Sequence, residues 1–124
     1  MFFSTRNRSL LKSASEALLD GLAPDGGLYY PEEFPQVKVE SLLNCSYPEI
    51  VKKVLFPYLD DLDKESVFHS IDSAYDKNHF EEKILEVTTF KNLSFLELFH
   101  GATLTFKVMA LSLLPYLLKE AKNK

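Results

Sequence analysis

The chain has 124 residues, 46% hydrophobic and 26% charged, a globular composition that argues against intrinsic disorder. Lys and Arg number 14 against 18 Asp and Glu, and the net charge of -4 comes without any basic block, so no electrostatic footprint for nucleic acid exists. A single cysteine, Cys45, excludes an internal disulfide framework and a cysteine-built zinc site, and no apolar run approaches the roughly 20 residues of a membrane span. The opening Met1–Arg6 segment lacks the charged and apolar regions of a signal peptide. The expectation is a reduced, cytoplasmic protein with neither a nucleic-acid nor a membrane partner.

The first helix signal is the capping box Ser13-Ala14-Ser15-Glu16, followed by the apolar stripe Ala14, Ala17, Leu18, Leu19 and ended by Asp20-Gly21, where glycine accepts positive φ. Pro24-Asp25-Gly26-Gly27 reads as a tight turn: Pro24 fixes φ, and both glycines permit φ > 0. Leu28-Tyr29-Tyr30 reads as a short strand stopped by Pro31, and Pro31–Pro35 as a loop or a single helical turn.

A second capping box, Ser46-Tyr47-Pro48-Glu49, opens a helix carrying Ile50, Val51, Val54, Leu55 and Tyr58, which Pro57 limits or kinks. Asp60–Asp63 supplies a loop and an N-cap. Val67, Phe68, Ile71, Ala74 and Tyr75 then mark an amphipathic third helix. From about residue 83 the pattern turns β-prone: Ile84–Phe90 and Ser94–Phe99 around Lys91-Asn92 fit either a hairpin or two successive sheet strands. The polar turn His100–Thr103 leads into the longest helix, from Phe106 to about Ala121, bent by Pro115. Its first turns are apolar all round, the pattern of a buried helix. With little chain around it, the expectation is a helix poorly buried, swapped with a neighbour or folded back on the helical part.

Lys107 is the only charged residue between Glu97 and Lys119, and Phe106 and Val108 flank it. Placement in a helix's opening turn and desolvation by apolar neighbours would both favour the neutral amine, the form that attacks an aldehyde. The alternative is a lysine that merely snorkels from an apolar helix. His100 either lines a pocket or is a turn residue donating to backbone. Thr103 and Thr105 either bind a ligand or cap the helix, the cap being expected for Thr105. Arg6 either binds an anion or partners an acidic side chain, and Asp25, Gly26 and Gly27 either face a site or simply form their turn. His69, His79 and Cys45 lack metal-ligand spacing, so no metal is expected. Glu81 and Glu82 read as solvated.

Glu97-Leu98-Phe99-His100-Gly101-Ala102-Thr103-Leu104-Thr105-Phe106-Lys107 resembles the lysine-bearing segment of threonine synthases, whose pattern runs Glu-Leu-Phe-His-Gly-Pro-Thr-Leu-Ala-Phe-Lys-Asp. Ser4-Thr5-Arg6 resembles the family's opening, and Glu16–Tyr29, containing Gly-Leu-Ala-Pro-Asp-Gly-Gly-Leu, its next motif. Ala102 replaces the proline and Val108 the acid after the lysine. The resemblance implies an α+β chain. A mostly helical N-terminal domain (1–80) would be followed by the first strands and helix of a fold-type II α/β domain (81–124), the whole being an N-terminal portion of a longer enzyme.

It further implies pyridoxal 5′-phosphate as cofactor, with Lys107 in Schiff-base linkage to it, and conversion of O-phospho-L-homoserine and water to L-threonine and phosphate. His100, Thr103 and Arg6 are the candidates for substrate binding. All four glycines precede Lys107, so no glycine-rich phosphate loop follows it, and the chain alone is expected to be inactive. Two other readings stand beside this one. The first is a threonine-synthase-like phospholyase. The second is a non-catalytic remnant whose exposed 104–118 helix docks on a partner or self-associates.

Overall fold

The computed structural model describes residues 1–80 and 83–124. Glu81 and Glu82, and the domain boundary expected beside them, lie outside the described residues. Ten regular elements follow one another: β1 (Phe2–Ser4), β2 (Leu11–Lys12), α1 (Ala14–Asp20), β3 (Tyr29–Pro31), α2 (Tyr47–Leu55), α3 (Lys64–Ala74), β4 (Glu86–Phe90), β5 (Leu93–Glu97), α4 (Val108–Leu111) and α5 (Leu114–Asn123). The architecture is α+β. A three-stranded antiparallel sheet in the order β2-β1-β3 and a separate β4-β5 hairpin accompany the helices.

The local signals produce the expected elements. The Ser13 hydroxyl accepts the Glu16 N–H at 3.3 Å while Glu16 accepts the Ser13 N–H at 3.0 Å, closing the box on α1. Gly21 ends that helix with φ 70°, but ψ is -63°, and the Leu22 N–H donates to Asp20 O at 2.8 Å. The chain therefore leaves through a three-residue γ-turn rather than a left-handed helical cap. At α2, Glu49 accepts both the backbone N–H and the hydroxyl of Ser46, and Phe56–Tyr58 forms a 3-10 turn where Pro57 stops the helix. Asp63 caps α3 by accepting the Ser66 N–H at 2.8 Å. β4 and β5 form a hairpin, with Phe90 opposite Leu93 and Lys91 at φ 56° in the two-residue turn, the positive φ that primed turns need.

The core forms where the amphipathic faces meet. Val67, Ile71 and Ala74 of α3 are fully buried against Ala14, Leu59, Leu62, Leu113, Leu117 and Ala121. α5 thus folds back on α1 and α3, and Pro115 sits in its first turn. The long helix expected from Phe106 to Ala121 is two helices broken at Ser112-Leu113. Its first half is poorly buried, one of the outcomes expected for an apolar helix with little chain around it: Phe106 is 67% and Leu111 56% exposed. Among the described residues no helix is long and apolar enough to cross a membrane.

Candidate active site

Lys107 lies at the residue before α4, with helical φ and ψ of -61° and -29°, and its carbonyl accepts the N–H groups of Ala110 (3.2 Å) and Leu111 (3.0 Å). Its side chain is exposed. Together with Tyr47, Leu85, Leu98, Phe106, Met109, Ala110 and Leu111 it lines an open apolar cleft of about 510 Å³. Two sequence expectations change here. α4 has four residues, too few to exert much of a dipole on Lys107. The apolar flanks do not enclose the amine either: Val108 turns into the core at 7% exposure while Phe106 faces outward.

Gly101 explains the direction Val108 takes. A Cβ on Gly101 would stand 2.4 Å from Val108 Cγ1 and 2.9 Å from Phe80 Cε1, so the valine fills the space glycine leaves. The backbones of Phe80 and Gly101 are also paired in a single antiparallel bridge. The Tyr75 hydroxyl also holds the turn, donating to Met109 O at 2.6 Å. Tyr75 packs edge-on against Tyr47 with ring centroids 5.0 Å apart. Burial pushes the Tyr75 phenol well up, so it stays a neutral donor. The sequence gives no sign that Tyr47 and Tyr75 belong near Lys107, because both sit on helices of the N-terminal part.

Among the described residues His100 donates to no backbone group. Its Nε2 pairs with Glu97 Oε2 at 3.1 Å, and its ring stacks on Phe99 at 4.9 Å. Glu97 also accepts the Thr88 hydroxyl at 2.9 Å, and Lys83, hydrogen bonded to Glu86, holds that carboxyl below the usual carboxylate range. Glu86 and Glu97 stand directly opposite in the hairpin. With His100 they bring one possible metal-ligand atom each within 4.8 Å of one another, a grouping invisible without the hairpin register.

Thr103 and Thr105 pair hydroxyl to hydroxyl at 3.0 Å, and α4 carries no side-chain cap, so the expected Thr105 cap is absent. Their turn takes Leu104 to φ 53°.

Arg6 belongs to the Asp25 turn. Its Nη1 donates to Asp25 O at 3.1 Å. The Asp25 carboxylate accepts the Ser4 hydroxyl at 2.8 and 2.9 Å and the Gly27 N–H at 2.9 Å. The Gly27 N–H first, then the Ser4 hydroxyl, hold the Asp25 carboxyl below its ordinary range, with a smaller contribution from the Arg6 charge. Gly26 takes the positive φ of 76°, whereas Gly27 is required for space: a Cβ there would lie 2.1 Å from Ser4 Oγ. The structure joins Arg6 to this turn through backbone and charge, and joins Lys107 to the cleft.

The family model described as threonine synthase N terminus matches residues 1–75. The chain belongs to the threonine synthase family. It is similar to threonine synthase of Methylobacillus glycogenes (35% identical over 125 residues, 91% of this chain and 26% of the relative). It is equally similar to threonine synthase-like 2 of Rattus norvegicus (35% over 132 residues, 98% and 27%). Among solved structures, the PLP-bound threonine synthase of Brucella melitensis superposes with a TM-score of 0.90 at 34% identity, covering 98% of this chain and 27% of that one. The Escherichia coli threonine synthase superposes at 0.85 with 21% identity, a likeness of fold. The chain spans about a quarter of the length of the curated relatives it matches.

Proposed function

We propose that the full-length protein is a threonine synthase that uses pyridoxal 5′-phosphate to convert O-phospho-L-homoserine and water to L-threonine and phosphate in the cytoplasm. In this reading Lys107 holds the cofactor. One observation carries it: the amine within the family-like segment Glu97–Lys107 is solvent-accessible at the edge of an apolar cleft. The residues present fit one end of the cofactor. Lys107 offers the amine for its aldehyde, and Tyr47, Leu98 and Met109 offer apolar walls for its ring. When bound, the cofactor supplies the electron sink for the reaction.

This chain's part is to present the Lys107 Nζ, hold it in place and exchange protons there once the amine is free. Thr103, exposed two residues beyond Gly101, is the substrate-binding candidate with a hydroxyl next to the lysine turn. His100 is oriented by Glu97. Arg6 serves its turn, which leaves it a supporting role. The domain division at residues 80 and 81, and self-association through Leu104, Phe106 and Leu111, are part of the same proposal.

The threonine-synthase-like reading is the second one, favoured by the 35% identity to the rat protein. The full-length gene product, given O-phospho-L-homoserine, separates the two: threonine supports the synthase, and a keto acid with ammonia the phospholyase. Lys107→Ala should abolish either reaction together with the absorbance of bound cofactor. Persistence of that absorbance in Lys107→Ala would overturn the role given to Lys107. The 124-residue chain alone should release no phosphate.

A further inference from the structure

The turn that carries Lys107 cannot hold itself. α4 is four residues long, far below the length at which a helix is stable alone. The helical pattern also breaks after it: the Leu113 N–H donates to Ala110 O at 3.2 Å, not to Met109 O. The Met109 carbonyl, two residues from Lys107, therefore needs another donor, and the Tyr75 hydroxyl is that donor at 2.6 Å.

Tyr75 is itself fixed. It ends α3, where its N–H donates to Ile71 O at 3.2 Å, and it is 7% exposed. Its ring packs against those of Tyr47, at 5.0 Å, and Phe80, at 5.7 Å. The lysine turn is also held by Val108, packed over Gly101 and Phe80. Both holds thus come from the short stretch that closes the helical part, residues 75–80. Phenylalanine would fill the same space as Tyr75. What the hydroxyl adds is one directional bond to the backbone of the turn that aims the amine.

We propose that Tyr75 is a positioning residue for Lys107, its hydroxyl fixing through Met109 O the turn that directs the amine into the cleft. This rests on the reading that Lys107 holds the cofactor. The test uses the full-length protein, with pyridoxal phosphate as probe, borohydride trapping and peptide mass mapping of the labelled lysines. Trapping at Lys107 is expressed relative to Lys52 and Lys53, which lie on α2. Tyr75→Phe should lower that ratio about five-fold, the factor of one typical hydrogen bond, and should accelerate amide exchange across 108–113.

Ile71→Val is the control. It thins the same buried cluster without touching the bond, so it should lower stability and leave the ratio unchanged. Equal loss of the ratio in both variants would show a merely structural role and overturn the proposal, as would an unchanged ratio in Tyr75→Phe. No preference for Lys107 in the unsubstituted protein would overturn the lysine assignment and this proposal with it. A preference that is undiminished in Tyr75→Phe overturns the positioning role alone.

Discussion

Gly101 and Val108 should behave as one packing unit. In Gly101→Ala the new methyl would meet Val108 Cγ1 at 2.4 Å, more than about 1 Å inside the optimal carbon–carbon separation of about 3.5–4.0 Å. Neither neighbour can give way into solvent, since Val108 and Phe80 are both buried. The backbone cannot retreat either, because Gly101 is bridged to Phe80. Overpacking of this kind costs about 1–3 kcal/mol. The reduced entropy of the unfolded alanine chain returns about 0.4–1 kcal/mol, because Gly101 has no positive φ to strain, so the overlap wins.

Val108→Ala alone removes two buried carbons, about 0.8 kcal/mol each plus a cavity term, for a loss of about 2 kcal/mol. In the double variant the methyl at 101 enters the space vacated at 108. Its cost should fall below the sum of the singles by at least about 1 kcal/mol. Urea titrations followed by far-UV circular dichroism, compared at constant m, read all four corners of the cycle. Additivity within about 0.5 kcal/mol would refute the packing argument.

The two turn glycines should separate by cause. Gly27→Ala places a methyl 2.1 Å from Ser4 Oγ and breaks the buried Ser4–Asp25 bond, whereas Gly26→Ala meets only the end of Arg6 and carries the φ of +76°, worth about 1–2 kcal/mol. In urea titrations Gly27→Ala should therefore be the more destabilising, and the reverse order would show that conformation outweighs space. Stability should also fall in acid through Asp61. Burial raises its pKa, but hydrogen bonds from Lys124 and Ser15 outweigh that and hold it at about 2 against an ordinary 3.8. A depressed folded-state pKa means this contribution is complete above about pH 4 and is lost as pH falls towards 2. Asp61→Asn should flatten the stability profile in that window and leave its slope near neutrality unchanged.

What could be read from the sequence was local. A capping box needs residues three apart, a proline stop needs one, and a tight turn needs four, so Ser13–Glu16, Pro57 and the turn at Pro24–Gly27, closed by the Gly26 N–H on Ala23 O, formed as expected. The motifs at Glu16–Tyr29 and Glu97–Lys107 likewise pointed together to the family. What failed was non-local. Phe2–Ser4 is too short to show a period, yet it is the central strand of the first sheet, defined by partners at Leu11–Lys12 and Tyr29–Pro31. The approach of Glu86 to Glu97 and His100 follows from hairpin register, which the sequence had left open. The bond from Tyr75 to Met109 spans 34 residues and depends on where α4 happens to break.

That Phe106 and Val108 do not enclose the Lys107 amine has the same origin. In a helical turn each residue is rotated by about 100° from the last, so Phe106, Lys107 and Val108 face three directions. Val108 faces Gly101 and Phe80, and Lys107 consequently faces the cleft. The family pattern has an acid at 108, and in this backbone a carboxylate there would enter the contact between Gly101 and Phe80, where burying an unpaired charge is costly. The valine and the glycine therefore have to be understood together: the apolar residue secures the orientation of the turn by packing. A shift of one residue in that turn would exchange the places of lysine and valine, burying the amine and exposing the methyls. The fit of Val108 over Gly101 opposes that shift, and so does the bond from the Tyr75 hydroxyl to Met109 O.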